Sequence, residues 1–564
     1  MTEEFLSFCV LAVMAIPLAA AVITASLGNR RAEAVRWVSL IATLATLVIA
    51  VVLIANFNAD QDRLTKADTF QPQMKTEWKL VTLIAPAGTN ASDRVGPIEF
   101  YVGVDGLNIW LVGLTALLMV SSVLISWTSV QERVNEFFAW MLLLEVAMLG
   151  VFLAFDIILF YVFFELTLVP LFFLIGIWGG AQRQHAARKF FIYTLAGSLI
   201  KLLGVLAVVL ICYTRQHELT FQIPRLVQLA HLLSKPDPDY WLSVQRWIFL
   251  ALIAGFAIKV PLFPLHTWLP LAHVEAPTAG SVLLAGVLLK IGAYGFLRFC
   301  LPLTPDACLS IGVPLIGTLA VIGIIYGSFC ALAQDDMKKL VAYSSVSHMG
   351  YCMLGMFALN ETGISGSLLQ MINHGLSTGA LFLLVGMLYE RYHTRKLADF
   401  GGMAGRLKVL AVFMFFICFS SIGLPGLNGF VGEMLILFGI YDLDSTRMHG
   451  PTLAAFGAIG LVLGAWYLLT LLKQIFFGPL KEPHVDPQHP VQDLNFRELG
   501  ALVPIAVLCL VLGLYPKPFF DVARPEIRLV TRIIDQARER TTAGITKTEE
   551  GSEQLVEAGE EARP

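Results

Sequence analysis

The chain has 564 residues, of which 57% are hydrophobic and only 14% charged, and its mean hydropathy is +0.72. Soluble chains carry roughly 25% charged residues, so the composition excludes a string of water-soluble domains and makes lipid the solvent. The 39 Lys and Arg against 42 Asp and Glu leave a net charge of -3, which points neither to nucleic acid nor to general attachment to an anionic surface.

The N-terminus, MTEEFLSFCV, is acidic where a secretory signal needs Lys or Arg, so the first apolar run reads as a span and not a cleaved signal. Counting runs of about 20 apolar residues, the length that crosses a bilayer, gives fourteen: 5–25, 36–56, 104–127, 137–155, 157–178, 188–212, 246–271, 278–300, 310–333, 338–359, 366–389, 408–440, 452–477 and 499–514. The expectation is an all-α membrane protein of about fourteen transmembrane helices. Arg30, Arg31 and Arg36, Arg183, Arg188 and Lys189, Lys338 and Lys339, and Arg391, Arg395, Lys396, Arg406 and Lys408 fall in loops of one parity. Those loops are cytoplasmic by the positive-inside rule, and both termini face the outer side. The long loops 57–103 and 213–245 then lie outside as covers or contact loops. Residues 525–540 have the pattern of an amphipathic surface or partner-docking helix, and the Glu-rich remainder from Thr541 that of a disordered tail.

Ionisable residues stand where lipid disfavours them. Glu165 lies mid-way along the fifth span, Glu145 in the fourth, Lys290 at the centre of the eighth, Lys201 in the sixth, and His348 and His374 in the tenth and eleventh. A charge at mid-bilayer costs about 2.5–3.5 kcal/mol even on the lenient insertion scale, so such residues face a bundle interior and mark an ion path. For Lys201 two readings stay open, because a four-carbon stem also reaches headgroups. Imidazole titrates closest to neutral pH, which suits the two histidines to a relay.

Two spans are broken. Pro261 and Pro264 cannot donate to the carbonyls of Ala257 and Val260, so the seventh span opens after Lys259, placing an ammonium beside freed carbonyls with His266 in the same opening. In the twelfth, Pro425 and Gly426, with Gly423 and Gly429, interrupt the run before Glu433. Irregular backbone at membrane depth survives only where protein or a wet cavity satisfies it. The breaks occupy equivalent places in spans 4–8 and 9–13, which predicts two inverted five-helix repeats with broken helices 7 and 12. The corresponding divisions are 1–127, 128–300, 301–480, 481–540 and a tail at 541–564. These features describe a membrane ion conduit, with protons as cargo.

The eight cysteines (Cys9, Cys212, Cys300, Cys308, Cys330, Cys352, Cys418 and Cys509) form no CxxC or ferredoxin-like spacing. A metalloenzyme built on His266, His273 and Glu275 finds no support, since HExxH is absent and Pro270 separates the histidines. GLPGLNGFVG lacks the Lys-Ser/Thr of a phosphate loop.

The stretch KVPLFPLHTWLPLAHVEAPTAGSVLLAGVLLKIGAYGFLRF, with FFELTLVPLFFLIGIWGG, AYSSVSHMGY, MINHGLSTGALFLLVGMLYERYHTRKLADFGGM and LPGLNGFVGEMLILFG, resembles the antiporter-like membrane subunits of respiratory complex I (NADH-quinone oxidoreductase), a family shared with Mrp-type cation/proton antiporters. The resemblance covers spans 4 to 13. It implies a proton-translocating subunit of the membrane arm, driven by quinone reduction elsewhere, in the bacterial inner membrane. Its expected partners are other complex I membrane subunits, especially the antiporter-like L and N, and no cofactor or metal is expected in this chain. Carried onto matching positions, it makes Glu165 and Lys259 a coupled ion pair, Lys290 the central lysine and Glu433 the terminal carboxylate. His266, His348, His374 and Glu145 become relay groups. Lys201 departs from the family pattern, where an apolar residue is expected. An Mrp-type antiporter subunit is the alternative, and Glu433, where the antiporters tend to have lysine, weighs against it.

Overall fold

The computed structural model describes residues 2–60, 62, 64, 67–84, 95–233, 238–443, 449–483 and 491–561, the side chains of 83, 84, 95, 238, 239 and 541–561 excepted. The helices are α1 (Glu3–Leu27), α2 (Ala32–Ala55), α3 (Ile109–Ser129), α4 (Val134–Leu153), α5 (Ile157–Trp178), α6 (Arg183–Gln216), α7 (Ile223–Leu233), α8 (Pro238–Lys259), α9 (Trp268–Glu275), α10 (Thr278–Leu303), α11 (Pro305–Leu332), α12 (Met337–Met356), α13 (Glu361–Tyr392), α14 (Lys408–Ile422), α15 (Asn428–Tyr441), α16 (Gly450–Phe476), α17 (Phe496–Leu514) and α18 (Lys517–Glu561). Among the described residues, 12 helices are long and apolar enough to cross a bilayer. The two other expected spans are α12, whose Lys, Ser, His and Tyr residues dilute its apolar content, and the twelfth, divided into the shorter apolar helices α14 and α15.

Helix starts are fixed by side chains that accept otherwise unpaired N–H groups. Asp156 accepts from Ile158 and Leu159 at α5, Asp336 from Lys338 and Lys339 at α12, and Asn360 from Gly363 at α13. Asn495 and Glu498 form a capping box at α17.

Burial is graded across the bundle. In α10 and α13 the most apolar windows are wholly enclosed, whereas α2 and α17 bury only a third of theirs and present Ile41, Val48, Val507 and Leu514 outward, as lipid-facing helices do. The two innermost helices are therefore those that carry Lys290 and His374. Close approach is secured by glycine: a Cβ on Gly292 of α10 would lie 2.8 Å from the backbone nitrogen of Val260, and one on Gly366 of α13 would lie 2.8 Å from that of Ile436.

The outer loop expected as a cover or contact loop folds as an antiparallel hairpin, β1 (Gln73–Ile84) and β2 (Val95–Val104). In β2, Ile98, Phe100, Val102 and Val104 recur at every second residue, a period-2 signal that a search for long apolar runs passes over. The hairpin leads to Asp105, which meets Arg298 of α10 at 2.6 Å with both side chains fully buried. Tyr294 joins them, accepting from Arg298 Nε at 3.0 Å and donating to the Phe152 carbonyl.

The amphipathic segment docks on this chain. It buries Ile527, Val530, Ile533 and Ile534, pairs Arg528 with Glu361 at 3.2 Å and Arg540 with Asp306 at 3.2 Å, and Arg532 donates to the carbonyls of Leu64 and Ala67. All these loops belong to the parity assigned to the outer face. The α18 backbone is helical to Glu561; for side chains beyond 540 and for residues 562–564, the reading of a disordered tail falls outside the described residues.

Two outcomes test this arrangement. A reporter fused after Lys396 should read cytoplasmic and one after Thr541 should read from the outer side; a shared side would make the span count wrong by one. Asp105→Ala strands a buried guanidinium and should cost about 3–5 kcal/mol, read as a lowered unfolding temperature of the purified protein, with much of the loss recovered by adding Arg298→Met.

Candidate proton-conducting site

Lys290 sits on α10 between two π-helical turns, Leu284–Leu288 and Phe296–Cys300, a local widening often found at functional positions. Its ammonium donates to the Ala285 carbonyl at 2.5 Å, within the first of these turns, and lies 2.6 Å from Nδ1 of His374 on α13. The ring of His374 is 5.7 Å from that of His348 on α12. His348 in turn places Nδ1 3.3 Å from Oε1 of Glu433 on α15, within ion-pair reach though off the angle of a hydrogen bond. Tyr467 lies 3.3 Å from Nε2 of the same ring, and Gln370 donates to Glu433 at 3.1 Å. Four expected residues thus form one buried row: Lys290, His374, His348 and Glu433.

The break in the twelfth span makes room for the last of them. Gly423 and Gly426 take φ of +82° and +92°, conformations that a Cβ disfavours. A Cβ on Gly423 would lie 2.7 Å from Oε2 of Glu433. Carbonyls at the end of α14 find partners within the break, Phe419 accepting from Leu424 N at 3.1 Å and Ser420 from Gly423 N at 3.4 Å, while at the start of α15 Asn373 donates to the Asn428 carbonyl at 2.7 Å and Ser420 donates to Asn428 Oδ1 at 2.5 Å.

The second group surrounds Glu165, and here the structure changes the expected pairing. The neighbour of its carboxylate within 4 Å is Lys201, at 3.9 Å. Lys259 instead donates to Thr167 Oγ1 at 2.9 Å, and no Glu165–Lys259 ion pair is formed among the described residues. Nor does Lys259 use the carbonyls freed by the prolines. The Ala257 carbonyl accepts from Leu262 N at 2.9 Å, and the neighbouring carbonyl of Ile258 accepts from the Trp268 indole at 2.9 Å, so two carbonyls at the opening after Lys259 are taken by other donors. Pro261 and Pro264 do end α8, and the chain becomes helical again at Trp268.

The remaining expected residues stand apart. His266 packs against Phe263 and Tyr326, with ring centroids 5.8 and 5.2 Å away, and no hydrogen bond joins it to the row among the described residues. Glu145 is fully buried, and among the described residues neither of its oxygens has a hydrogen-bond partner. Several participants escaped the sequence reading. Thr167, Gln370 and Tyr467 are uncharged and carry no signal in apolar runs; Arg298 and Asp105 lie near span ends, where charges are common. His273 stacks on Phe382 at 4.6 Å with both ring nitrogens buried and unpartnered. Among the described residues no three His, Cys, Asp or Glu side chains gather as a metal site, and the eight cysteines are free.

The chain as a whole falls in a known class. The family model described as NADH:quinone oxidoreductase/Mrp antiporter, TM, matches residues 154–464, and the chain belongs to that family of multi-pass membrane proteins. Its relatives include NADH-quinone oxidoreductase subunit M of Rhodobacter capsulatus, 39% identical over 91% of this chain and 94% of that protein. NADH-ubiquinone oxidoreductase chain 4 of Chondrus crispus is 41% identical over 75% of this chain and 81% of that one. Among solved structures, a chain of respiratory complex I from Thermus thermophilus with bound NADH superposes with a TM-score of 0.76 at 29% identity, covering 93% of this chain and 99% of that one. A chain of the Mrp complex from Dietzia sp. DQ12-45-1b shares the fold, with a TM-score of 0.75 at 20% identity over 95% and 99% of the two chains.

Gly423→Ala should be damaging for two separable reasons. It forces a side chain into a left-handed conformation, about 1–2 kcal/mol, and presses on the Glu433 carboxylate. A lowered unfolding temperature is expected, with no change for Gly405→Ala, where a Cβ meets nothing within 4 Å.

Proposed function

We propose that this chain is a proton-translocating membrane-arm subunit of NADH-quinone oxidoreductase, in which Glu165, Lys259, Lys290 and Glu433 carry the proton and His348 and His374 relay it. The observation that supports this most is the row from Lys290 through His374 and His348 to Glu433, because successive groups able to exchange a proton lie side by side in four different helices. Each group is enclosed by protein, so a change of charge at one is felt strongly at the next. A proton reaching Lys290 alters the field at His374, and one leaving Glu433 removes the negative end of the row.

Electron transfer belongs, on this reading, to other subunits, and the chain acts without a redox cofactor or metal of its own. Its partners are the other membrane subunits of the complex, with L and N as neighbours, and its place is the bacterial inner membrane. Residues 128–300 and 301–480 act as two five-helix units of opposite orientation, each with one broken helix. His266 and Glu145, outside the row, serve as side branches by which protons reach it. The Mrp-type alternative uses the same groups to exchange sodium for protons; the identity to subunit M proteins and the carboxylate at position 433 favour the respiratory reading.

The test is NADH-driven acidification of vesicles followed with a proton-gradient dye, alongside quinone reduction, in assembled membranes. Glu433→Gln keeps the shape but cannot titrate, and should lower coupled activity about tenfold or more, whereas Glu433→Asp should lose less. Glu165→Gln and Lys259→Ala should also impair coupling without preventing assembly. Full activity of Glu433→Gln would take Glu433 out of the path and reopen the antiporter reading.

A further inference from the structure

Lys201 is an ionisable side chain in the middle of a long apolar helix, and its place is unusual in three respects. Its side chain is only 1% exposed, so it does not reach the headgroups. Gly255 of α8 lies directly against it: a Cβ there would approach Lys201 Cβ to 2.7 Å and Cδ to 3.2 Å, and the stem is held between α6 and α8. Its ammonium ends among four aromatic rings, Phe160 at 5.8 Å, Tyr161 at 5.0 Å, Phe164 at 3.0 Å and Phe256 at 5.4 Å. Such a cage holds a cation by its ring quadrupoles.

Within this pocket one carboxylate faces two amines. Glu165 lies 3.9 Å from Lys201, while Lys259, 4.7 Å from the same Phe164 ring, rests on the neutral hydroxyl of Thr167. Neither Glu165 oxygen nor the Lys201 nitrogen has a hydrogen-bond partner among the described residues, so the Glu165–Lys201 contact is electrostatic and loose enough to be exchanged. We propose that Lys201 is the resting counter-ion of Glu165, and that each working cycle passes this carboxylate between Lys201 and Lys259. Lys201 is thus a positioning residue. It holds Glu165 away from Lys259 and keeps that pair from closing permanently. The inference rests on the proton-carrying reading of Glu165 and Lys259 and adds a third member to their pair.

A double-variant cycle in the assembled complex tests it, using Lys201→Met, Glu165→Gln and both together, with dye-detected acidification per NADH oxidised and the amount of assembled complex as readouts. With Glu165 present, Lys201→Met surrenders the carboxylate to Lys259 and should lower coupled activity about fivefold. With Glu165→Gln two ammoniums lack any carboxylate, and adding Lys201→Met relieves that, raising activity or assembly about twofold or more. This reversal of sign is the expected result, since a lysine serving only as packing has the same effect in both backgrounds. Effects of the same sign, or a double variant that neither pumps nor assembles better than Glu165→Gln alone, overturn the proposal. A Glu165→Gln enzyme that pumps normally would instead overturn the role of Glu165 itself, so the two failures are told apart.

Discussion

An ionised group at membrane depth is tolerated only when protein, and not hydrocarbon, surrounds it, and this constraint arranges the molecule around α10 and α13. Those helices are the most enclosed in the bundle and bring Lys290 and His374 into contact. The helices α1, α2 and α17 carry no charge at mid-span and can present apolar faces outward. Lipid exposure and charge are thus separated helix by helix. The separation also explains why so much of the interior is glycine at helix contacts: charged groups can share one enclosure only if their backbones approach closely, as Gly292 and Gly366 allow.

The broken helices solve a second form of the same problem. A helix interrupted in lipid leaves backbone groups unpaired, each costing several kcal/mol. Here the Trp268 indole pairs with the Ile258 carbonyl at the first opening and the Leu424 N–H with the Phe419 carbonyl at the second, where Asn373 and Ser420 also tie down Asn428. Polar residues at these positions are therefore bound to the breaks as closely as the prolines are. The opening in the twelfth span then has space beside Gly423 for the Glu433 carboxylate, which a continuous helix with side chains there would not leave.

Much of this was legible in one sequence because two strong signals dominate it. Long apolar runs mark helices whatever the packing, and a charge inside such a run stands out; that is how Glu165, Lys290, His348, His374 and Glu433 were found. Partner choice was less legible. Nothing in the order of residues says that Lys259 turns to Thr167, a residue with no charge and one of several threonines in apolar spans. The same limit hid Tyr467 and Gln370, which matter only through the residues they face. The hairpin is hard to read for a different reason, since its alternation is short and lies in a loop, and the amphipathic pattern of α18 does not say that the surface it covers is its own chain's.

The two groups of titratable residues are not joined by a hydrogen bond among the described residues. Between them lies the contact of α8 with α10, where Gly292 packs on Val260, the residue immediately after Lys259. That contact is rigid backbone against rigid backbone, so the Glu165 group can influence Lys290 chiefly through its electric field and through movement of the end of α8. A carboxylate that changes partners alters both at once. When Glu165 rests with Lys201, Lys259 keeps its charge beside a neutral hydroxyl and its field reaches toward α10 with little compensation. When Glu165 moves to Lys259, that field is cancelled locally and the pull on the end of α8 changes direction. Coupling between the groups then requires no continuous chain of hydrogen bonds, only a charge pair that can be made and broken next to a helix end.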